Sequence, residues 1–423
     1  MEQAATYREV FGNGEFRVLF GSFVLQVAGD TVKNLALSVL VYERSGSPGL
    51  AALAYMLGFL PYILGGTFLL SLADRVRPRT LMAAGQALLV AVCLVLAYAG
   101  LPVWAMLLVV FGTGLFSPLF AAARNAVLPE LLPGDAFVLA RSLMVMAAGG
   151  AQIGGLATGG ALLAVTGATG GLTVTAGLSA VALLLVRFGL PDRAARTSAS
   201  TPGGASGSAS GGASGGRGAV RETLRVNRVL MADRRVRGLM LVQWLPVAFV
   251  AGAEAVFVPY LSGPAAAGSG AAGIALAAAA AGMAAGNFAV GRLVTPAGRE
   301  RLALPLAVWS GVPLLAFVLR PGLAATVVLA ALATLGTAYL LGVQRPFLDA
   351  VPEPVRGQAY GLAAAGQMTA QGLGAALAGG LAELVPAHLA VAAAGLGAVL
   401  ASLCLAAHLR PRPVAAAPGG EIA

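Results

Sequence analysis

Long apolar runs separated by short polar gaps recur from one end of the chain to the other. They fall at roughly 16–41, 50–72, 79–99, 102–123, 138–164, 168–188, 237–261, 268–293, 301–319, 323–344, 357–383 and 385–408. Each is near the ~20 residues that a helix needs to span the hydrocarbon core of a bilayer. The pattern predicts an all-α integral membrane protein with twelve transmembrane helices. The run at 268–293 is the weakest, because Ala and Gly dilute its hydrophobicity.

The gaps carry a second pattern. Arginines cluster at 75–79, 124–141, 187–237, 292–301, 345–356 and in the tail at Arg410 and Arg412. The alternate gaps hold only Arg44 and Arg320. Positive charge concentrates on the cytoplasmic side of polytopic proteins. The basic gaps and both termini are therefore expected in the cytoplasm, with the protein in the inner (cytoplasmic) membrane. The net charge of +10 follows from this topology and does not imply a nucleic-acid partner. With 58% hydrophobic and 10% charged residues, the chain lies far from the quarter or so of charged residues in a soluble domain. Cys93 and Cys404 sit inside apolar runs, so no disulfide is expected. The first fifteen residues are polar and lack a small-residue cleavage site, and the first run is expected to remain as a membrane helix.

A Gly/Ser/Ala tract from Thr201 to Gly216 divides the runs six and six. Such a tract is a flexible coil. Residues 217–237 follow, with Val220, Leu224, Val229 and Leu230 among arginines. This pattern fits a basic helix on the inner membrane surface, or a solvated linker. The expected organisation is an N-terminal six-helix bundle at 1–190, a cytoplasmic linker at 191–236, a C-terminal six-helix bundle at 237–410 and a tail at 411–423. The halves also repeat. Gly65-Gly66-Thr67 to Thr80-Leu81 aligns without gaps with Gly286-Asn287-Phe288 to Arg301-Leu302. Gly112-Thr113, Arg124, Pro129-Glu130 and Gln152 align, with small gaps, with Gly336-Thr337, Arg345, Pro352-Glu353 and Gln371. Parallel six-helix repeats related by an axis along the membrane normal build major facilitator transporters.

Leu72-Ala73-Asp74-Arg75-Val76-Arg77-Pro78-Arg79 resembles the loop signature of the major facilitator superfamily, Gly-x-Leu-Ala-Asp-Arg-x-Gly-Arg-Arg. Leu70 and Arg77 stand where the signature has glycine. Phe16-Arg17-Val18-Leu19-Phe20, Ser47-Pro48 and the stretch from Ala123-Arg124 to Leu132-Pro133 are similar to the drug:proton antiporter branch that contains the macrolide exporters. Antiporters of the family often carry Gly-x-x-x-Gly-Pro-x-x-Gly-Gly in helix five. Here Gly150 to Gly160 lacks the proline and has one extra residue. The resemblance implies a major facilitator fold and an inner gate at Asp74, Arg75 and Arg79, with Arg124 and Arg345 near it. Positive-inside anchoring is the commoner explanation for the last two arginines.

Charges within a membrane span are costly and mark function. Ser22, Gln26, Asp30, Lys33 and Asn34 recur at helical spacing in the first run and predict one polar face lining a central cavity. Asp30 reads as a proton-binding carboxylate, or as half of a self-neutralising pair with Lys33. Gln243 and Glu254 lie three turns apart on the seventh helix; Glu254 reads as a second proton-coupling carboxylate, or as an acid near the outer boundary where water reaches it. Gln367 and Gln371 share a face at i, i+4. Tyr55, Tyr62, Gln152, Tyr339 and Gln344 are further polar groups for the cavity or for helix packing.

Lys33 is the only lysine and lies in a helix, so no phosphate-binding Gly-x-x-x-x-Gly-Lys loop exists. ATP hydrolysis within the chain is excluded as the energy source. No cofactor, metal site or enzyme activity is indicated. The expectation is a monomeric secondary transporter that exchanges protons for amphipathic or lipophilic small molecules. The alternatives are an importer or facilitator of a polar nutrient, for which 6% aromatic residues supply few sugar platforms, or a membrane scaffold or sensor, which would need no acid at Asp30.

Overall fold

The computed structural model describes residues 7–61, 76–132, 135–193, 217–262, 269–352 and 355–409, and among them every regular element is a helix. The order is α1 (Tyr7–Gly12), α2 (Gly14–Ser45), α3 (Pro48–Met56, extended by a 3-10 turn over Leu57–Phe59), α4 (Pro78–Tyr98), α5 (Val103–Leu131) and α6 (Asp135–Gly189). Then come α7 (Arg217–Ala232), α8 (Arg234–Ser262), α9 (Ser269–Leu293), α10 (Pro296–Trp309), α11 (Val312–Leu315, with a 3-10 turn over Ala316–Leu319) and α12 (Leu323–Leu335). A 3-10 turn over Gly336–Ala338 leads into α13 (Tyr339–Ala350), followed by α14 (Arg356–Leu384), α15 (Ala387–Cys404) and α16 (Ala406–Leu409).

Among the described residues, nine helical stretches are long and apolar enough to cross a membrane. One of them, within α6, covers two of the expected spans. Its interruption is Gly167, at φ 66° and ψ −178°, a backbone region open essentially to glycine. The chain reverses there, between the sequence runs at 138–164 and 168–188. α14 coincides with the eleventh expected span, although its glycines and amides keep it outside the nine. α3 and its 3-10 turn cover the start of the second expected span, and the rest of that run lies outside the described residues.

Local chemistry fixes the helix ends. The Asn13 side chain accepts from the backbone N–H groups of Glu15 and Phe16 at 2.9 and 3.2 Å and so caps α2. Gly46 closes that helix at φ 64°. Ser47 caps α3, with Pro48 in the first helical position.

Helices α2 to α6 pack around two apolar cores, one of which continues into the second half. A third core joins α8, α10, α13 and α14. The linker helix α7 docks on this last core through buried Leu230, and Gln358 Nε2 donates to the Asn227 side-chain Oδ1 at 3.3 Å. Apolar side chains such as Trp104, Val165, Phe188, Leu319 and Leu384 project outward. On a membrane protein this is the face that lipid covers.

The two bundles meet along glycine seams. A Cβ on Gly160 of α6 would stand 2.9 Å from the Gly273 Cα of α9. A Cβ on Gly379 of α14 would stand 2.7 Å from the Ala52 Cβ of α3. Only the missing side chains allow these backbones so close. Both seams lie at the end of the molecule where α3 and α9 begin and α14 ends.

Candidate functional site

Between the bundles lies a cavity of ≈ 520 Å³, within the usual range for a small-molecule site. Asp30 from α2 and Glu254 from α8 both line it, one acid from each bundle. Amides surround them: Asn34, Gln152, Asn287, Gln367 and Gln371. The apolar wall includes Tyr55, Met56, Phe59, Met283 and Met368. Thioethers and aromatic rings accommodate ligands of irregular shape. Glu254 is partly buried and forms no ion pair among the described residues.

Asp30 is different. Its Oδ1 accepts from Lys33 Nζ at 2.7 Å. Lys33 faces away from the cavity, into a second and smaller polar pocket inside the N-terminal bundle. Ser22, Gln26, Asp30, Gln86, Thr113, Ser117 and Arg124 line that pocket. Arg124 Nη1 donates to Gln26 Oε1 at 3.0 Å, and its guanidinium sits 4.2 Å above the Phe23 ring. The buried Gln86 Oε1 has no hydrogen-bond partner among the described residues. Asp30 is thus common to both spaces.

The single polar face expected on α2 is therefore corrected: it splits. At about 100° per residue, Ser22, Lys33 and Gln26 fall within roughly 40° of one another. Asn34 falls about 80° beyond Gln26, with Asp30 midway between them. A fan this wide meets two neighbours. Its one edge faces the bundle interior and its other edge faces the central cavity, with Asp30 at the boundary.

Gln243 does not join Glu254 in the cavity lining. The two share a helical face, but eleven residues separate them by about 16 Å along the axis. The cavity wall on α8 runs from Val247 to Glu254, and Gln243 donates instead to the Leu239 carbonyl one turn back, at 3.1 Å. Arg124 and Arg345, matched in the repeat, also part company. Arg124 points inward to Gln26, whereas Arg345 on α13 is exposed. Tyr339 is fully buried, and its hydroxyl donates to the Val242 carbonyl at 2.7 Å, a packing bond between helices. Gln344 is exposed. Asp74, Arg75 and Tyr62 lie outside the described residues. Arg79, at the start of α4, donates to the Arg187 carbonyl at the end of α6.

Two features had no place in the sequence reading. Glu383 of α14 reaches across to the other bundle. Its Oε1 accepts from Ser47 Oγ and, at 2.7 Å, from the Gly49 backbone N–H. A carboxylate from one bundle thereby caps a helix of the other, where the helix dipole favours negative charge. Arg193, just beyond α6, pairs with Glu15 at 2.6 Å and Glu130 at 3.8 Å, which ties together the ends of α2, α5 and α6. The signal for Glu383 was its isolation: a lone acid near the end of a span with no basic neighbour in sequence.

Comparison with known proteins agrees with this architecture. The chain is 27% identical over 125 residues to macrolide efflux protein A of Streptococcus pyogenes, an alignment covering 29% of this chain and 31% of that protein. It therefore spans about a third of the length of the curated relative it matches. A mutant of the nucleoside transporter NupG superimposes with a TM-score of 0.70 at 12% identity, covering 94% of this chain and 100% of the other. A bacterial homolog of the human lysosomal transporter Spinster, inward-facing and unoccupied, gives 0.64 at 16% identity, covering 96% and 95%. At these identities the structural matches speak to the fold alone. Residues 19–265 match the sequence pattern of the Major Facilitator Superfamily, more than half of the chain, and this membrane protein belongs to that family of transporters.

Proposed function

We propose that the chain is a proton-coupled exporter of amphipathic or lipophilic small molecules, working by alternating access in the inner membrane with both termini in the cytoplasm. The observation that carries this reading is the central cavity itself. It places one carboxylate from each bundle among amides and a thioether-rich apolar wall. An amphipathic guest finds apolar contact on the Met and aromatic side, and hydrogen bonds from Asn34, Gln367 and Gln371. The similarity to a macrolide efflux protein supports the outward direction.

Asp30 is the proton site in this mechanism. Ionised, it is held by Lys33; protonated, it releases that lysine. The change in charge on α2 alters which bundle arrangement is favoured. Glu254 faces the guest. The resemblance of the 72–79 segment assigns Asp74, Arg75 and Arg79 to the inner gate, with Arg124 and Arg345 near it. The glycine seams and the Glu383 cap then form the outer closure.

The test is transport in liposomes under an imposed pH gradient, with a fluorescent lipophilic cation as surrogate substrate. The wild type should concentrate the dye against its gradient. Asp30→Asn should lose this while retaining downhill exchange. Wild-type accumulation by Asp30→Asn would remove Asp30 from the coupling role and leave its pair with Lys33 as structural. The second reading, uptake of a polar nutrient, is favoured by the five amides in the cavity. Uptake of a nucleoside or sugar without dye transport would establish it instead.

A further inference from the structure

Apart from the central cavity, a groove of ≈ 460 Å³ lies between α4 and the second half of α6. Its lining is Arg79, Thr80, Ala83, Ala84, Ala87, Leu183, Arg187 and Asp192. None of these residues lines the central cavity. We propose that this groove binds one anionic phospholipid, with its phosphate between Arg79 and Arg187 and an acyl chain in the alanine slot.

The position argues for a lipid. Thr80, Ala83, Ala84 and Ala87 follow helical spacing, so one face of α4 forms the slot. Methyl side chains leave room that a leucine would fill, and Ala84 and Ala87 are exposed. Beside the groove, Leu184 and Phe188 project outward, 55% and 79% exposed, and Val95 and Tyr98 do so further along α4. Apolar exposure of this kind marks the hydrocarbon side of the molecule. The arginines stand on the first turn of α4 and the last turn of α6. The slot therefore leads from a charged end into the apolar belt, as a phospholipid does.

The charge argues for an anionic lipid. Arg79 is oriented by its bond to the Arg187 carbonyl, which leaves further N–H donors on its planar fork. Arg187 is exposed. The one acid on the rim, Asp192, is already paired with Arg77. Two guanidiniums and the Thr80 hydroxyl thus line one groove and supply donors for phosphate oxygens. A zwitterionic headgroup would bring its own ammonium against these arginines. A free phosphate would use the arginines and have no need of the alanine slot.

The experiment uses the purified, delipidated full chain in detergent, titrated with phosphatidylglycerol or phosphatidylcholine of matched chains and read by native mass spectrometry. The wild type should retain one phosphatidylglycerol in preference to phosphatidylcholine. Arg187→Gln, at an exposed position, should weaken that retention by about fivefold, the contribution expected of one arginine at an anionic surface. Arg187→Lys should recover part of it. Ala87→Leu should weaken retention of both lipids by filling the slot, and Ala84→Val serves where Ala87→Leu fails to elute as the wild type. Equal retention of the two lipids, or equal retention by wild type and Arg187→Gln, would overturn the proposal. So would displacement of the lipid by millimolar inorganic phosphate together with wild-type behaviour of both slot variants, which would assign a soluble phosphate to the site.

Discussion

The opening helices of the two bundles, α2 and α8, each bring one carboxylate to the same cavity and surround it differently. Asp30 has a lysine 2.7 Å away, and that lysine shares a pocket with a glutamine–arginine pair. Glu254 has amides and apolar groups around it, with no cation in the cavity lining. A paired acid can act as a switch, because protonation frees its partner. An unpaired acid is a place where either a proton or a cationic guest can satisfy the carboxylate. Similar chemistry on one long helix of each bundle thus suits two different tasks, and the contrast lies in the neighbours.

The contrast can be broken most sharply at Asp30. Asp30→Asn should reduce pH-gradient-driven accumulation to background in the liposome assay, since a neutral amide cannot carry the proton. Glu254→Gln should act on the guest. Removing one close counter-charge of about 1.4 kcal/mol should weaken binding of a lipophilic cation about tenfold. A neutral lipophile of the same size should bind as before, as equilibrium titration of the purified protein would show. An equal loss for both ligands would mean that Glu254 shapes the cavity and does not select charge.

A third comparison sets the bundles' outer contact against their separation. Glu383→Gln retains the hydrogen-bond geometry and removes the charge at the α3 N-terminus. It should shift the population toward the parted arrangement by a few-fold, since such charge-to-helix-terminus contacts contribute about 1 kcal/mol. The rate at which a cysteine at Ala52 reacts with a thiol reagent reports that shift, and an unchanged rate would show that the glycine seams hold the contact unaided. The smallest effect is expected of Arg345→Gln. This exposed residue should change transport by less than about twofold, whereas Arg124→Gln, which loses its bond to Gln26 and its stacking on Phe23, should do more.

Much of the fold was legible because a membrane span needs a long apolar run, and most runs fall on described helices, although α5 and α13 extend past theirs. The break between 164 and 168 anticipated the turn at Gly167. Asp30, Asn34, Gln367 and Gln371 stood out in the sequence because polar groups are rare in such runs; Lys33 stood out for the same reason but lines the pocket inside the N-terminal bundle and not the cavity. The division of the α2 stripe was not. Periodicity gives an angle around one helix but not the angle at which the next helix stands. Gln243 misled for a related reason: sharing a face says nothing of depth. Glu383 escaped because its partners, Ser47 and Gly49, lie in the other half of the chain, and no local pattern links them.

The glycine seams have a mechanical consequence. Where leucines interlock, two helices part only if side chains withdraw from one another and change rotamers. At Gly160 against Gly273, and at Gly49 against Gly379, smooth backbone lies against smooth backbone. Such surfaces have little relief to disengage. They can separate and return in one rigid movement, with neither bundle having to reshape its own core.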